Sequence, residues 1–315
     1  MFTYLKIAQL FSKFDLKSEF WQLVINLLER YKTTFCIPNA HYQWTVLPFG
    51  LKTAASIFQK SIVQIFQPIL HSALIYINDI LLFSGTQDEH RHLLNQFFNI
   101  IQSHGIMLSA KKSTLATHKI EFLGMTIKDG HYQSGKHIAQ ELIHFPDQHF
   151  SKRQLQQFLG IINYIRDFIP HVDHQTRKLS ALLKKNRPSW SNNHTLAVTT
   201  LKQIAQNPPP LKLITNDRRI LQTDASDESW GAILLEETDG KEHFIAYASG
   251  HFSDTQIHYH SVFKEILAVK HDIQKFEYHL ISYHFLVRMD NSALPNIMNF
   301  KWKNVPEKIL LKLKD

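Results

Sequence analysis

The chain has a single cysteine, Cys36, in 315 residues. That excludes an internal disulfide and fits a reducing compartment. No apolar run reaches transmembrane length, which takes about 20 residues. The opening MFTYLKIAQLFSKFDLK lacks a secretory apolar region with a cleavage site. No internal repeat and no low-complexity segment is present. His131, His137, His144 and His149 are irregularly spaced and have no matching cysteine set, which argues against a structural zinc site. The expectation is an intracellular protein, cytoplasmic or nuclear, with no signal peptide and no membrane contact.

What is present is globular: 44% hydrophobic and 12% aromatic residues, in a length suited to two domains. Lys+Arg 35 against Asp+Glu 27 gives a net charge of +8. That balance favours a polyanionic partner. Lys111-Lys112, Lys184-Lys185 and Arg218-Arg219 are compatible with phosphate contacts, although such pairs are usually solvated. Trp190, Trp230 and Trp302 read as core or rim side chains rather than base-stacking platforms.

Leu10 to Leu16 reads as a strand whose end carries Asp15. Phe35 to Ile37 and Trp44 to Leu47 are further strand candidates, closed by Pro48-Phe49-Gly50. Ala54, Ile57, Phe58, Ile62 and Ile65 recur at helical spacing, and Pro68 is expected to end that run. Ser72 to Ser84 reads as a hairpin with Asn78-Asp79 in its turn. Thr86 and Glu89 form a capping-box start for a helix stopped by Gly105. Phe122 to Ile127 reads as a strand, Lys128-Asp129-Gly130 as a turn, and Ser151 to Gln154 as another helix start. Asn207-Pro208-Pro209-Pro210 marks the main boundary. Beyond it the order β-β-β-α-β is expected: Arg219–Thr223, Trp230–Leu235, His243–Tyr247, Ser261–Leu280, Phe285–Arg288.

Two carboxylate sets stand out. Asp15 at a strand end and Asp79 in a hairpin can converge on one sheet edge, as two-metal phosphoryl transfer requires. The alternative is that each merely serves a turn. In the second set, Asp224 and Asp290 end strands and Glu265 lies on an apolar helix face. An acid buried on such a face is costly unless paired or metal-bound.

Phe11-Ser12-Lys13-Phe14-Asp15-Leu16-Lys17-Ser18 resembles the first catalytic segment of reverse transcriptases from long-terminal-repeat retroelements and plant pararetroviruses. Leu47-Pro48-Phe49-Gly50-Leu51-Lys52 with Ile57-Phe58-Gln59 resembles the fingers-to-palm helix. Tyr76-Ile77-Asn78-Asp79 sits where the family has Tyr-x-Asp-Asp. Phe122-Leu123-Gly124 resembles the primer grip, and Gln154 to Gly160 the segment after it. Thr223-Asp224-Ala225-Ser226, Tyr247-Ala248-Ser249-Gly250, Lys264 to Val269 and Asp290-Asn291 resemble the attached ribonuclease H domain. The wording is nearest to the caulimovirus branch.

The resemblance implies an α+β fold: palm and partial fingers over 1–134, thumb and connection over 135–210, and an incomplete ribonuclease H-like α/β domain over 211–315. It implies catalytic and metal-binding roles for Asp15, Asp79, Asp224, Glu265 and Asp290. It gives Phe20 the selection of deoxynucleotides, and Phe122, Leu123 and Gly124 the primer grip. It further implies Mg²⁺, with Mn²⁺ as a substitute, and as partners RNA template, DNA primer, RNA–DNA hybrid and deoxynucleoside triphosphates. The oligomeric state stays open. Asn78 departs from the pattern, replacing a metal-bridging carboxylate, and Glu19 stands where the family usually has Gly. The ends are expected to lack the preceding fingers strands and the fourth ribonuclease H carboxylate. The sequence therefore predicts RNA-directed DNA polymerase and ribonuclease H ancestry with an impaired polymerase, in a host-genome remnant of a viral polyprotein. The competing readings are a non-catalytic RNA- or DNA-binding remnant and a frame that yields no stable protein.

Overall fold

Phe11 and Phe14 are three residues apart on one strand, so they face opposite sides of a sheet, and a core forms around each. The computed structural model describes Leu5 and residues 8–290; Asn291 and Trp302, named above, lie outside the described residues. The architecture mixes helix and strand. The chain divides into two compact units, Met1–Ile138 with Pro209–Thr215, and Ala139–Pro208 with Asn216–Asp315. Among the described residues no helix is long and apolar enough to cross a membrane.

The first unit opens with β1 (Leu10–Asp15), a small ribbon of β2 (Phe35–Ile37) and β3 (Ala40–Tyr42), and helix α1 (Ala54–Ile65). The hairpin β4 (Ala73–Tyr76) and β5 (Asp79–Ser84) follows, then α2 (Gln87–His104) and β6 (Thr114–Thr117). An antiparallel sheet runs β4-β5-β1-β6. Phe14, Ile75, Ile80 and Leu82 pack with Phe58 and Ile62 of α1 and Phe97 of α2. Phe11, Leu74, Leu81 and Phe83 turn to the other core. Each such side chain, fully buried, contributes about 1.5–3 kcal/mol, so register is strongly fixed. A polar clamp runs through the same strands. His90 of α2 is 2% exposed and bonds Ser12 of β1 at 2.7 Å and Ser84 of β5 at 2.9 Å. Burial lowers its pKa, keeping the imidazole neutral, so one ring nitrogen donates and the other accepts.

A second sheet of this unit contains β7 (Lys119–Phe122), β8 (Met125–Lys128) and β9 (His131–Ser134). The helices α3 (Lys136–Ile143), α4 (Lys152–Tyr164), α5 (Val172–Ala181) and α6 (Asn192–Gln206) follow. The prolines end α6, and β10 (Leu211–Lys212) then pairs with β9 of the first unit. In the second unit β11 (Arg218–Ala225), β12 (Ser229–Thr238) and β13 (Lys241–His251) form an antiparallel meander. Helix α7 (Ser261–Lys275), the single turn α8 (Glu277–Leu280) and β14 (Phe285–Arg288) complete it, β14 running parallel to β11. The expected order of strands and helix is therefore observed, although the long helix breaks at Phe276.

Four expected details differ. Tyr76 pairs with Asp79, so the hairpin turn is Ile77-Asn78 and Asp79 opens β5. Phe122 to Ile127 is not one strand but two, joined at Leu123-Gly124, where φ is +46° and +70°. A two-residue hairpin loop asks for φ above zero, and a leucine gives no sequence signal for it. Trp44 to Leu47 contributes only an isolated Val24–Val46 bridge. Pro68 lies inside a 3-10 stretch, Gln67–Ser72, beyond the end of α1.

The segment 19–51 is thinly packed, with Val24, Leu27 and Leu28 each at least 70% exposed. It also begins under strain. Ser18 and Glu19 have φ of +58° and +33°, a region that disfavours side chains with a Cβ. Replacing Glu19 by Gly is expected to stabilise the fold by about 1 kcal/mol, the relief of strain outweighing the added freedom of the unfolded chain. Urea midpoints of the two forms check this; a lower midpoint for Glu19→Gly would show that residue 19 is unstrained.

Candidate functional site

The β1–β5 ladder sets Asp15 directly opposite Asp79. Side chains opposed in this way have Cβ atoms about 4.5–5.5 Å apart, and like charges there repel. Three groups answer the repulsion. Lys112 Nζ stands 3.2 Å from Asp15 Oδ2, Lys13 Nζ stands 3.3 Å from Asp79 Oδ1, and Asn78 Nδ2 donates to Asp15 Oδ2 at 3.2 Å. Asp15 is 8% exposed, so its partners matter more than those of a surface acid. Sequence reading paired neither lysine with these acids: Lys112 is 97 residues from Asp15 along the chain, and no local pattern links them.

The turn that delivers Asn78 is held from three sides. Gln59 of α1 donates to Ile75 O at 3.0 Å and accepts from Ile77 N at 2.6 Å. Leu16 N donates to Asn78 O at 2.9 Å. Between these contacts Ile77 sits at φ +52°, strained for a β-branched residue. Such strain persists only where surrounding contacts over-determine the backbone, which is the pattern of functional sites.

Phe20 lies in a 3-10 turn, Glu19–Gln22, with its ring edge-on to Phe49 at 5.1 Å and Phe58 at 5.3 Å. Phe122, Leu123 and Gly124 form the tip of the β7–β8 hairpin, and Gly124 O accepts from Gly135 N at 2.7 Å.

The second set of acids sits on the second unit's sheet. The β11–β14 register ends at Gln222 beside Arg288. Asp224 and Asp290 each lie two residues beyond that pair, at matching ends of neighbouring parallel strands, and both are exposed. Glu265 on α7 is buried, and its Oε2 has no hydrogen-bond partner. Burial raises its pKa, and the negative charges of Asp290 and Asp224 raise it further. The three acids thus share one electrostatic neighbourhood.

A hard cation favours carboxylate oxygens. In the second set only Glu265 offers an orphaned buried carboxylate oxygen, with Asp224 and Asp290 near enough to act on it electrostatically. The first set fits less well: two carboxylates remain, and the third position presents an amide nitrogen to Asp15. Among the described residues no three of His, Cys, Asp and Glu are gathered as a metal-holding group.

Residues 3–127 match the reverse transcriptase (RNA-dependent DNA polymerase) family, and residues 190–287 match the RNase H-like domain found in reverse transcriptase. The chain is 54% identical over 312 residues to the genome polyprotein of Petunia vein clearing virus, covering 99% of this chain and 14% of the polyprotein. It is 38% identical over 309 residues to the enzymatic polyprotein of Cauliflower mosaic virus, covering 96% of this chain and 46% of the relative. The chain therefore spans less than half the length of either. Among solved structures, the foamy viral protease-reverse transcriptase in complex with dsDNA superposes with a TM-score of 0.82 at 20% identity, over 98% of this chain and 66% of that one. The same protein in complex with an RNA/DNA hybrid gives 0.80 at 21% identity, over 99% of this chain and 44% of that one. This likeness is one of fold.

Asp272 is a further acid that sequence reading missed. It lies on the sheet-facing side of α7, seven residues beyond Glu265, and is fully buried with no partner for either carboxyl oxygen. Burial pushes its pKa up to about 8. The folded protein therefore keeps a proton that the unfolded chain releases near its ordinary value of about 4. The stability this group supports is whole below that lower value and is lost as pH rises through the folded value. Between the two, the difference in unfolding free energy between Asp272→Asn and the parent should grow by up to about 1.4 kcal/mol per pH unit, in favour of the amide. Chemical denaturation at pH 5, 6.5 and 8 measures it. Parallel pH profiles for the two forms would mean that Asp272 is ionised in the fold.

Proposed function

The chain belongs to the reverse transcriptase–ribonuclease H family found in caulimovirus-type polyproteins, and on that premise we propose that it binds nucleic acid with a weakened polymerase centre. The family's enzymes depend on divalent metal, and a bound Mg²⁺ or Mn²⁺ would neutralise charge on the attacking and leaving oxygens of phosphoryl transfer. In this reading Asp15 and Asp79 are the polymerase carboxylates, and Asp224, Glu265 and Asp290 serve hydrolysis of RNA in an RNA–DNA hybrid. Phe20 stands as the deoxynucleotide-selecting ring, and Phe122, Leu123 and Gly124 as the primer grip. Residues 1–134 are assigned to palm and partial fingers, 135–210 to thumb and connection, and 211–315 to the ribonuclease H-like region.

Asn78 carries the proposal. Its amide nitrogen donates to Asp15 Oδ2, so the position that would add a third negative oxygen adds a donor instead. Lys13 and Lys112 already counter the two remaining carboxylates. A site so balanced has less charge to offer a divalent ion. Loss of one metal ligand removes several kcal/mol of transition-state stabilisation, and each ~1.4 kcal/mol is tenfold in rate.

The second reading, binding without turnover, is favoured by charge. Residues 151–190 carry eight Lys and Arg against two Asp, +6 of the chain's net +8. The foamy viral protein's complexes with dsDNA and hybrid supply the partner chemistry by analogy.

Primer extension on a primed RNA template with Mg²⁺ and deoxynucleoside triphosphates separates the readings. Asn78→Asp is expected to extend at least about 100-fold faster than the parent, the rate equivalent of ~2.7 kcal/mol. A parent chain that extends as fast as the variant would establish Asn78 as a working ligand. If neither extends while both bind the primed template, the chain is a binder.

A further inference from the structure

The second unit holds a cavity of about 530 Å³ between the start of α4 and the segment joining α5 to α6. That volume lies within the range of small-ligand sites, about 300–1,000 Å³. Buried Leu155 and Leu182 contribute apolar surface to it. Phe150 and Trp190 also line it, their rings stacked with centroids 5.8 Å apart and planes within 13°. Lys152 and Arg187 are its cations.

The cations have no acidic counterpart. Lys152 and Arg187 make no ion pair with any described residue. The acid nearest in sequence, Asp147, is already engaged by Lys202 at 2.7 Å. Lys152 and Arg153 open α4, whose first turn contains no acid. Cations at a helix N-terminus add to the positive end of the helix dipole, an arrangement unfavourable unless an anion is present. The cavity therefore joins an unneutralised positive field to an aromatic and aliphatic wall.

We propose that this cavity takes one unpaired nucleotide of a single-stranded nucleic acid, its phosphate on Lys152 and Arg187 and its base against the Phe150–Trp190 wall. A phosphate alone would leave the apolar surface unused, and an apolar ligand would leave the cations unanswered. A base inside a duplex is held by its partner and cannot enter a pocket of this size, whereas an overhang or displaced strand can present its base freely. The site shares no residue with either carboxylate set, so the inference stands whether or not the chain turns over substrate.

Fluorescence anisotropy of the full chain with a labelled 12-nucleotide thymidine strand tests it at fixed salt. Lys152→Glu combined with Arg187→Glu should weaken binding at least about tenfold, while Lys184→Glu combined with Lys185→Glu should cost less than about threefold. Both pairs reverse the same charge on exposed residues, and thermal melts verify that both variants fold. Equal losses from the two pairs would reduce the effect to a diffuse basic surface and overturn the site. A strand made abasic throughout should bind at least about fivefold more weakly than the thymidine strand; equal binding would remove the base from the pocket. Thymidine monophosphate competing as well as the strand would reassign the cavity to free nucleotides. An acidic peptide bound with the same dependence on Lys152 and Arg187 would make it a protein-docking site. A blunt RNA–DNA hybrid of equal length should feel the Lys152/Arg187 change less than about threefold, which separates this site from the hybrid binding proposed above.

Discussion

Two carboxylates facing each other across one antiparallel ladder are the constraint around which the first unit is arranged. Asp15 and Asp79 cannot move apart without shifting register, and a shift by one residue would turn both apolar faces of the sheet the wrong way. The sheet therefore fixes the repulsion, and the surroundings absorb it. Lys13 comes from the same strand as Asp15, Lys112 from the stretch before β6, and Asn78 from the turn itself. Each counter-group is placed by a different part of the unit. Loss of Lys13 would leave Asp79 without its ion pair, whereas the nearly buried Asp15 keeps one partner if either Lys112 or Asn78 is lost.

The second unit meets the same difficulty differently. Its acids are not opposed in a ladder but drawn from two strand ends and a helix face. There Glu265 has a raised pKa, caused first by burial and then by the charges of Asp290 and Asp224. Asp272, farther along the same helix, is neutralised by burial alone. One unit answers its facing acids with two lysines and an amide, while burial in the other pushes Glu265 and Asp272 toward the neutral form. The difference follows from where the acids sit. Lysine side chains reach Asp15 and Asp79 from a strand and a turn, whereas Glu265 and Asp272 lie on the buried side of α7, where Lys264 pairs with Asp227 instead.

Much of this was legible in the sequence because it is local. Thr86 and Glu89 fixed the start of α2, Ser151 and Gln154 that of α4, and both show reciprocal capping bonds in the structure. Short apolar, β-favouring runs marked β1 and the β4–β5 hairpin, and the order of the last strands followed from similar runs. The failures share one cause, backbone geometry that side-chain identity conceals. Ile77 and Leu123 take left-handed φ in turns where Asn or Gly would have announced it. The triproline stretch does end α6, but nothing in its composition indicates that the next residues return to pair with β9. Asp272 escaped because the helix was read as an apolar stripe. On α7 the buried positions include Lys264, Glu265 and Asp272 beside Ile266 and Ala268. The individual acids of the two sets were legible from their places at strand ends and on a helix; their counterions were not, being distant in sequence.

Asn78 bears on stability as well as chemistry. A carboxylate at that position would place a third negative charge beside Asp15, within a strained turn held by Gln59 and Leu16. Such a cluster is tolerable when a divalent cation is bound and costly when it is not, because the repulsion is then offset only by partly exposed lysines. The amide breaks that dependence. It removes a charge, supplies a donor to Asp15 Oδ2, and lets the hairpin keep its register without an ion. The strain at Ile77 and the facing acids at 15 and 79 persist in this chain. The charges of these acids are answered within the unit by Lys13, Lys112 and the Asn78 amide.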